Sequence, residues 1–267
     1  MKRNVLCILA LGLFLVCGCA ESPTEPDDAA VNLRRGIVSA KRGDFDKAIA
    51  DLSEAVRLDP SSAAAYYHRG LAYGSKAEYD KALADFNEAI RLDPKYAEAY
   101  CYRGTIYGGK GEHEKAMADF AAALRLDPKY AKAYCDRGVA YGSKGDRDKA
   151  IADFSAAIRF DPKYAKAYYD RGAAYASKGD LDMAIADFTA AIRLDPKDAK
   201  ACFARSSIYG AKGEMDKAIA DCTAAIRLEP AYALAYYNRG LAYEQKGEKA
   251  KAEADFAKAK ELGWKPE

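Results

Sequence analysis

Histidine is nearly absent from this chain: His68 and His113 are the only two among 267 residues. Nothing in the sequence forms a Ser-His-Asp series, a Cys-x-x-Cys pair or a phosphate-cradling glycine loop. Proton transfer, nucleophilic attack and metal binding all need such groups gathered in one place. No catalytic residue, metal set or cofactor is therefore assigned, and a hydrolase has no visible site. Net charge is lacking too. The 42 Lys+Arg and 40 Asp+Glu leave +2, too little for a general attraction to nucleic acid or anionic headgroups. Any partner must be recognised by shape or local pattern. What the chain does have is apolar residues, 50% of the total, enough at this length to bury a substantial core.

Long apolar runs are missing except at the start, MKRNVLCILALGLFLVCGC. Lys2 and Arg3 precede an apolar stretch from Val5 to Val16, and small residues precede Cys19. This is the layout of an export signal. The stretch falls short of the roughly 20 residues of a bilayer-crossing helix. Its ending, VCGC, resembles the lipobox of bacterial lipoproteins. That resemblance implies a signal peptide at residues 1–18, a lipid on Cys19, and an extracytoplasmic chain anchored to the bacterial envelope, at the outer membrane in a Gram-negative cell. Membrane contact would then run through the lipid anchor alone. Ordinary cleavage near Ala20, releasing a soluble protein, is the alternative, and Cys17 departs from the usual lipobox. Loss of residues 1–18 removes Lys2 and Arg3 and takes the formal charge from +2 to zero. Residues 19–28, polar and without apolar periodicity, then form a flexible tether able to reach about 30 Å if extended.

Pro60, Pro94, Pro128, Pro162, Pro196 and Pro230 recur every 34 residues. A fixed period of this length marks an array of stacked units. Within residues 131–164, Tyr134, Gly138 and Tyr141 stand at i, i+4 and i+7, one face of a first helix, which Gly145 ends. Asp146 is placed to cap a second helix. There Ala150, Phe154 and Ala157 repeat the spacing, with Ile151 and Ile158 widening the apolar stripe, and Asp161-Pro162 stops it. Gly138, Ala150 and Ala157 let the two helices approach closely while Tyr134, Tyr141 and Phe154 fill the space around them. One hairpin leaves apolar residues uncovered, so the units must stack. Most tyrosines belong to this core. Gly108-Gly109-Lys110 could suggest a phosphate loop, but it occupies the helix-end positions of Gly142-Ser143-Lys144 in the next unit and is structural.

The pattern resembles the tetratricopeptide repeat, in which aromatic, Gly, Tyr, Ala, Phe and Pro recur at fixed offsets. It covers residues 29–266 as seven units: 29–62, 63–96, 97–130, 131–164, 165–198, 199–232 and 233–266. The resemblance implies an all-α fold, a right-handed α-solenoid of seven helix-turn-helix units. One departure is regular. The position before the glycine, usually Leu, holds Arg35, Arg69, Arg103, Arg137, Arg171, Arg205 and Arg239, and the second helices hold Asp51, Asp85, Asp119, Asp153, Asp187, Asp221 and Asp255. An Arg–Asp ladder is expected, serving register more than stability because burial of such a pair offsets its attraction. In the terminal units Asn32 and Ser39 replace the aromatic pair, and Glu253 and Lys260 replace aliphatic residues, as caps would. Ala77 stands where the other units have a helix-ending glycine, at a cost of about 1 kcal/mol if it takes the left-handed conformation.

Of seven cysteines, Cys7 and Cys17 fall in the signal and Cys19 takes the lipid. Cys101 and Cys135 occupy equivalent places on neighbouring first helices, roughly 8 to 10 Å apart, and are read as apolar filler. Cys202 and Cys222 replace, within one unit, the Tyr and Phe that face each other elsewhere. They form either a disulfide, in an oxidising compartment, or two reduced core thiols.

Fixed positions report what the scaffold requires, whereas variable ones are free to serve a ligand. The most variable position runs Arg34, His68, Tyr102, Asp136, Asp170, Ala204, Asn238, beside the line Leu33, Tyr67, Cys101, Cys135, Tyr169, Phe203, Tyr237. The family resemblance places these on the concave surface, with Lys132, Lys166 and Lys200 as a basic edge. An aromatic floor with a charged rim suits an extended peptide or a partner helix. The Lys and Asn of the family's carboxylate clamp are missing at the positions of Cys135 and Val139, which disfavours a chaperone-type clamp. The expectation is a non-enzymatic, lipid-anchored scaffold for protein partners. A glycan-handling accessory protein, stacking sugars on tyrosine, is the alternative.

Overall fold

The computed structural model describes residues 26–265. The expected signal peptide, most of the tether and Cys19 lie outside them. Fourteen helices follow one another among the described residues: α1 (Pro26–Lys41), α2 (Phe45–Leu58), α3 (Ala63–Ser75), α4 (Tyr79–Leu92), α5 (Ala97–Gly109), α6 (His113–Leu126), α7 (Ala131–Ser143), α8 (Arg147–Phe160), α9 (Ala165–Lys178), α10 (Leu181–Leu194), α11 (Ala199–Ala211), α12 (Met215–Leu228), α13 (Ala233–Gln245) and α14 (Lys249–Glu261). They pair as seven antiparallel hairpins stacked into a right-handed α-solenoid. Helix α1 begins at Pro26, so Pro26–Asp28, expected in the tether, are helical.

Local chemistry sets each boundary. Gly145 takes φ +83° in the turn after α7, and Ala77 takes φ +59° in the corresponding turn after α3, a left-handed conformation that a Cβ opposes. The aspartate before five of the six repeated prolines turns the chain, Glu229 standing before the sixth: the Lys163 amide donates to Asp161 Oδ1 at 3.0 Å, and the Asp161 amide closes α8 on Ala157 O at 2.8 Å. Asp146 does not cap α8 as expected. Its carboxylate instead accepts from Lys149 Nζ at 3.1 Å, an exposed ion pair.

Inside five of the seven hairpins a glycine meets an aromatic ring, and in the first Gly36 meets Leu52 instead. A Cβ on Gly138 would lie 2.7 Å from the Phe154 ring, and one on Gly240 2.6 Å from Phe256. Gly70, Gly104 and Gly172 face Phe86, Phe120 and Phe188 in the same way. The sixth unit changes both partners at once. Ser206 replaces the glycine and Cys222 the phenylalanine, and the Cys222 thiol donates to Ser206 Oγ at 3.2 Å, which donates onward to Phe203 O at 2.7 Å. Cys222 is therefore a volume exchange with Ser206. Cys202 and Cys222 are both free, buried thiols, so the disulfide considered for them is not formed in this structure.

The Arg–Asp ladder is present in every unit. Six arginines grip their aspartate bidentately, as Arg171 does Asp187 at 2.7 and 2.8 Å, and these aspartates are buried. Arg35 makes the weakest rung: half-exposed, it reaches Asp51 through Nη2 alone, shares that nitrogen with Asn32, and leaves Asp51 Oδ2 buried without a partner. Flanking tyrosines hold the guanidinium by cation–π contact, Tyr100 and Tyr107 lying 5.4 and 6.0 Å from Arg103.

Two polar ties also cross the seams between hairpins. The free Nη1 of Arg69, Arg103, Arg171, Arg205 and Arg239 donates to Ser53, Asn87, Ser155, Thr189 and Thr223 on the preceding second helix. Lys76, Lys110, Lys178, Lys212 and Lys246 pair with Asp46, Asp80, Asp148, Asp182 and Asp216. The seam between α6 and α7 lacks both among the described residues. Ala121 offers Arg137 no acceptor, and Lys144 makes no ion pair with Glu114.

Candidate binding groove

Successive first helices touch one another, α3 with α5 and α5 with α7 for example, whereas successive second helices do not. The first helices therefore line the inside of the curve. Along this concave wall the structure divides the expected groove residues into three groups.

Some are core. Cys135 is fully buried, as is Cys101, and Tyr67 retains only 8% exposure, wedged against Phe86, Tyr96 and Tyr102. Burial pushes the Cys101 and Cys135 thiols up to about 12, which leaves them neutral and poor nucleophiles. Cys135 is thus removed from the groove surface: its side chain points between hairpins. Tyr169 and Phe203 are half-buried, tilted on Phe188 and Tyr232 at centroid distances of 5.5 and 5.0 Å. Tyr237 is stacked under Trp264 at 3.8 Å, so the chain end covers it as Tyr96 covers Tyr67.

Others form a polar strip. Lys132 Nζ lies 2.5 Å from Asp136 Oδ2 and 4.5 Å from the centre of the Tyr102 ring. Asp136 also accepts from Thr105 Oγ1 across the α5/α7 contact at 2.9 Å, the concave counterpart of the ties missing at this seam. One unit on, Lys166 pairs with Asp170 at 2.6 Å. Asn238 Nδ2 donates to Ser207 Oγ at 3.2 Å. His68 is half-buried edge-on to Tyr67, and burial, with Lys41 adding to it, lowers its pKa. Lys200 is exposed, with Ala204 where its neighbours have an aspartate.

Open space makes the third group. Pockets of similar build occur between the first helices of adjacent hairpins: about 390 Å³ between α3 and α5, 330 Å³ between α5 and α7, 390 Å³ between α7 and α9, and 190 Å³ between α11 and α13. Gly74, Gly108, Gly142 and Gly210 border them. A Cβ there would meet nothing closer than 3.9 Å, so packing does not demand these glycines; they hold the pockets open. The residues that give each pocket its character are Leu71, Tyr79 and Ile106 in the first and His113, Ser143 and Lys166 in the second. His113 Nδ1 is buried there without a partner. Sequence reasoning passed over Leu71, Tyr79 and His113, although they sit at positions that differ from unit to unit.

Each pocket is smaller than or at the low end of the range for drug-sized ligands, roughly 300–1,000 Å³, and has room for a side chain. First helices in contact lie about 8 to 10 Å apart. An extended, polyproline-like chain advances ~9 Å per three residues. Every third side chain of such a peptide falls at the next pocket.

Comparison with known proteins agrees with this geometry. No curated protein matches the chain. Among solved structures, the chain resembles a chain of the APC/C hetero-tetramer Cut9–Hcn1, with a TM-score of 0.76 and 21% identity, over 82% of this chain and 44% of that one. YrrB, a TPR protein with an unusual peptide-binding site, aligns with a TM-score of 0.58 and 26% identity over 67% of this chain and 92% of its own. PilW, a type IV pilus biogenesis factor, aligns with a TM-score of 0.68 and 22% identity over 76% and 94%. The model described as TPR repeat matches residues 36–77, 106–145, 143–179 and 207–247, and those described as tetratricopeptide repeat match 63–96, 86–118, 165–198 and 233–262. With these matches tiling the same hairpins that the structure stacks, the chain belongs to the tetratricopeptide repeat family.

Proposed function

We propose that this protein is a non-enzymatic, lipid-anchored interaction scaffold of the bacterial cell envelope that binds an extended peptide of a protein partner along its concave groove. The observation that carries the reading is the series of glycine-bordered pockets between first helices, each with room for a side chain, at the roughly 8 to 10 Å helix spacing that every third residue of an extended chain matches. The apolar pocket at Leu71, Tyr79 and Ile106 takes an apolar anchor; the strip at Lys132, Asp136, Lys166 and Asp170 orients polar backbone and side chains beside it. The likeness to YrrB supports peptide binding, and the likeness to PilW supports an envelope setting. Anchoring through Cys19 rests on the resemblance of VCGC to a lipobox, and no described helix is long and apolar enough to cross a membrane.

Crosslinking and pull-down from native envelopes tests the groove. Gly108→Leu with Gly142→Leu fills two pockets without touching the hairpin cores. It is expected to reduce recovery of the crosslinked protein partner at least tenfold while circular dichroism stays helical. Unchanged recovery would discard the groove assignment, and retention of envelope polysaccharide in place of protein would favour the glycan-handling alternative. Mass analysis of the mature N-terminus checks the anchor separately, since a chain that starts at Cys19 with a lipid mass is required.

A further inference from the structure

Every described unit after the first presents one face to the unit before it. On α7, Ala133 and Ala140 are buried against Ala116, Phe120 and Ala123 of the preceding hairpin; on α3, Ala65 and Ala72 are likewise buried, and Ala72 packs on Ala48 and Leu52. The corresponding residues of α1 are Val31 and Val38, which are 48% and 45% exposed. Ile106 occupies the place of Val38 within the stack, so an aliphatic residue is accepted there. The two seam-crossing donors stand on the same face. Arg42 is the counterpart of Lys76, Lys110 and Lys178, which pair with an acid on the preceding second helix. Arg35 is the counterpart of the arginines whose Nη1 reaches a hydroxyl or amide there. Both side chains, Arg35 on α1 and Arg42 in the turn just after it, are exposed; Arg35 bonds only Asp51 and Asn32 among the described residues, and Arg42 forms no ion pair with them.

The opposite end is built differently. Helix α14 has Ala250 where the other second helices carry Asp or Glu, and Ala257 where most carry Ser, Thr or Asn. Glu253 and Lys260 interrupt the aliphatic stripe. A second copy cannot therefore supply through α14 what α1 offers to receive, and open head-to-tail polymers are avoided. The α1 face remains competent for stacking.

We infer that the outer face of α1 docks a helical hairpin of a different protein, whose exposed helix carries an acid, aliphatic residues three and ten positions after it, and a hydroxyl or amide seven positions after it. That spacing is the one the internal seams use: Asp148, Ile151, Ser155 and Ile158 on α8, or Asp216, Ile219, Thr223 and Ile226 on α12. The acid pairs with Arg42, the hydroxyl accepts from Arg35 Nη1, and the aliphatic pair covers Val31 and Val38. This surface is separate from the concave groove, so the scaffold holds two partners at once.

A donor of this chemistry can be made from the protein itself. Ala250→Asp, Glu253→Ile, Ala257→Thr and Lys260→Ile give α14 the receiving pattern, while Val38→Asp and Arg42→Glu block the donor's own α1 face. A second donor carries only Ala250→Asp and Ala257→Thr with the same block, in case the aliphatic changes disturb the end cap. Sedimentation velocity of a helical donor mixed with the unaltered protein is expected to show a 1:1 complex, weakened severalfold by added salt. Val38→Asp with Arg42→Glu in the acceptor should weaken it at least tenfold. If neither folded donor binds, or if the blocked acceptor binds equally well, the inference is overturned. It is overturned as well if the unaltered protein instead binds phosphatidylglycerol vesicles through Val38 and Arg42 while the donors stay separate.

Discussion

At the scale of single residues, the Arg171–Asp187 rung shows how a buried charge pair is tolerated. Each Asp187 oxygen accepts one guanidinium nitrogen, the third nitrogen reaches Ser155 across the seam at 2.9 Å, and Tyr168 and Tyr175 flank the cation. Every donor aimed inward has a partner, which is the condition under which attraction offsets desolvation. Arg171→Leu removes the partner and leaves Asp187 with its charge buried, at an expected cost of about 3 to 5 kcal/mol. Arg171→Leu with Asp187→Leu removes both charges and is expected to recover most of that loss. Urea denaturation of the two variants checks this; equal destabilisation would mean that the rung contributes shape rather than charge. The rung itself was legible in the sequence, because two positions sixteen residues apart stay Arg and Asp in every unit. The Cys222–Ser206 exchange was not, since it only has meaning once Gly138 is seen against Phe154. Cys135 was misplaced for a related reason: it sits one residue from Asp136 on the helix surface, and only the curvature of the stack decides which of the two is swallowed by the seam.

Among elements, the seams differ more than the hairpins do. Helices α6 and α7 meet without the arginine tie and without the lysine–acid tie, because Ala121 and Glu114 replace the usual acceptors. What joins them instead lies on the concave side, where Thr105 donates to Asp136 and Lys132 covers Tyr102. A seam held at one edge opens more readily than one held at both. Ala121→Ser restores the hydroxyl found at Ser53 and Ser155, and its hydrogen bond to Arg137 Nη1 is expected to yield a coupling of about 1 kcal/mol. A double-mutant cycle of Ala121→Ser against Arg137→Leu measures it, and a coupling near zero would show that the seam geometry itself, not the missing acceptor, keeps the tie open. Helix boundaries at this scale were easy to read from Asp-Pro and Gly. The capping role given to Asp146 was not met: its carboxylate bonds Lys149 Nζ and no backbone amide of α8, and Asp180, with Met183 three residues on, leaves α10 uncapped as well.

For the whole molecule, the decisive property is that the ties are interchangeable. Stability in such a stack sums the hairpins and their nearest-neighbour seams, and the period of 34 residues makes each seam's donors and acceptors coincide after a unit is removed. Excision of residues 165–198 brings α11 onto α8, so that Arg205 Nη1 faces Ser155 and Lys212 faces Asp148, the residues that Arg171 and Lys178 use in the intact chain. Cys202 then takes the place of Tyr168, a smaller residue at the same position of the repeat. The shortened protein is expected to unfold cooperatively as a helical rod, with a urea m-value lower by roughly one seventh, because m follows the surface exposed on unfolding. Excision of residues 97–130 makes a sharper comparison. It sets Arg137 against Asn87 and Lys144 against Asp80, the residues that Arg103 and Lys110 use in the intact chain, so the seam without these ties is the one lost, together with the pairing of Thr105 and Asp136. Both deletions remove one hairpin and one seam; only the first has a net loss of a seam with both ties. The 165–198 deletion should therefore lose more stability than the 97–130 deletion, and urea midpoints in the reverse order would show that the polar ties do not set the strength of the stack.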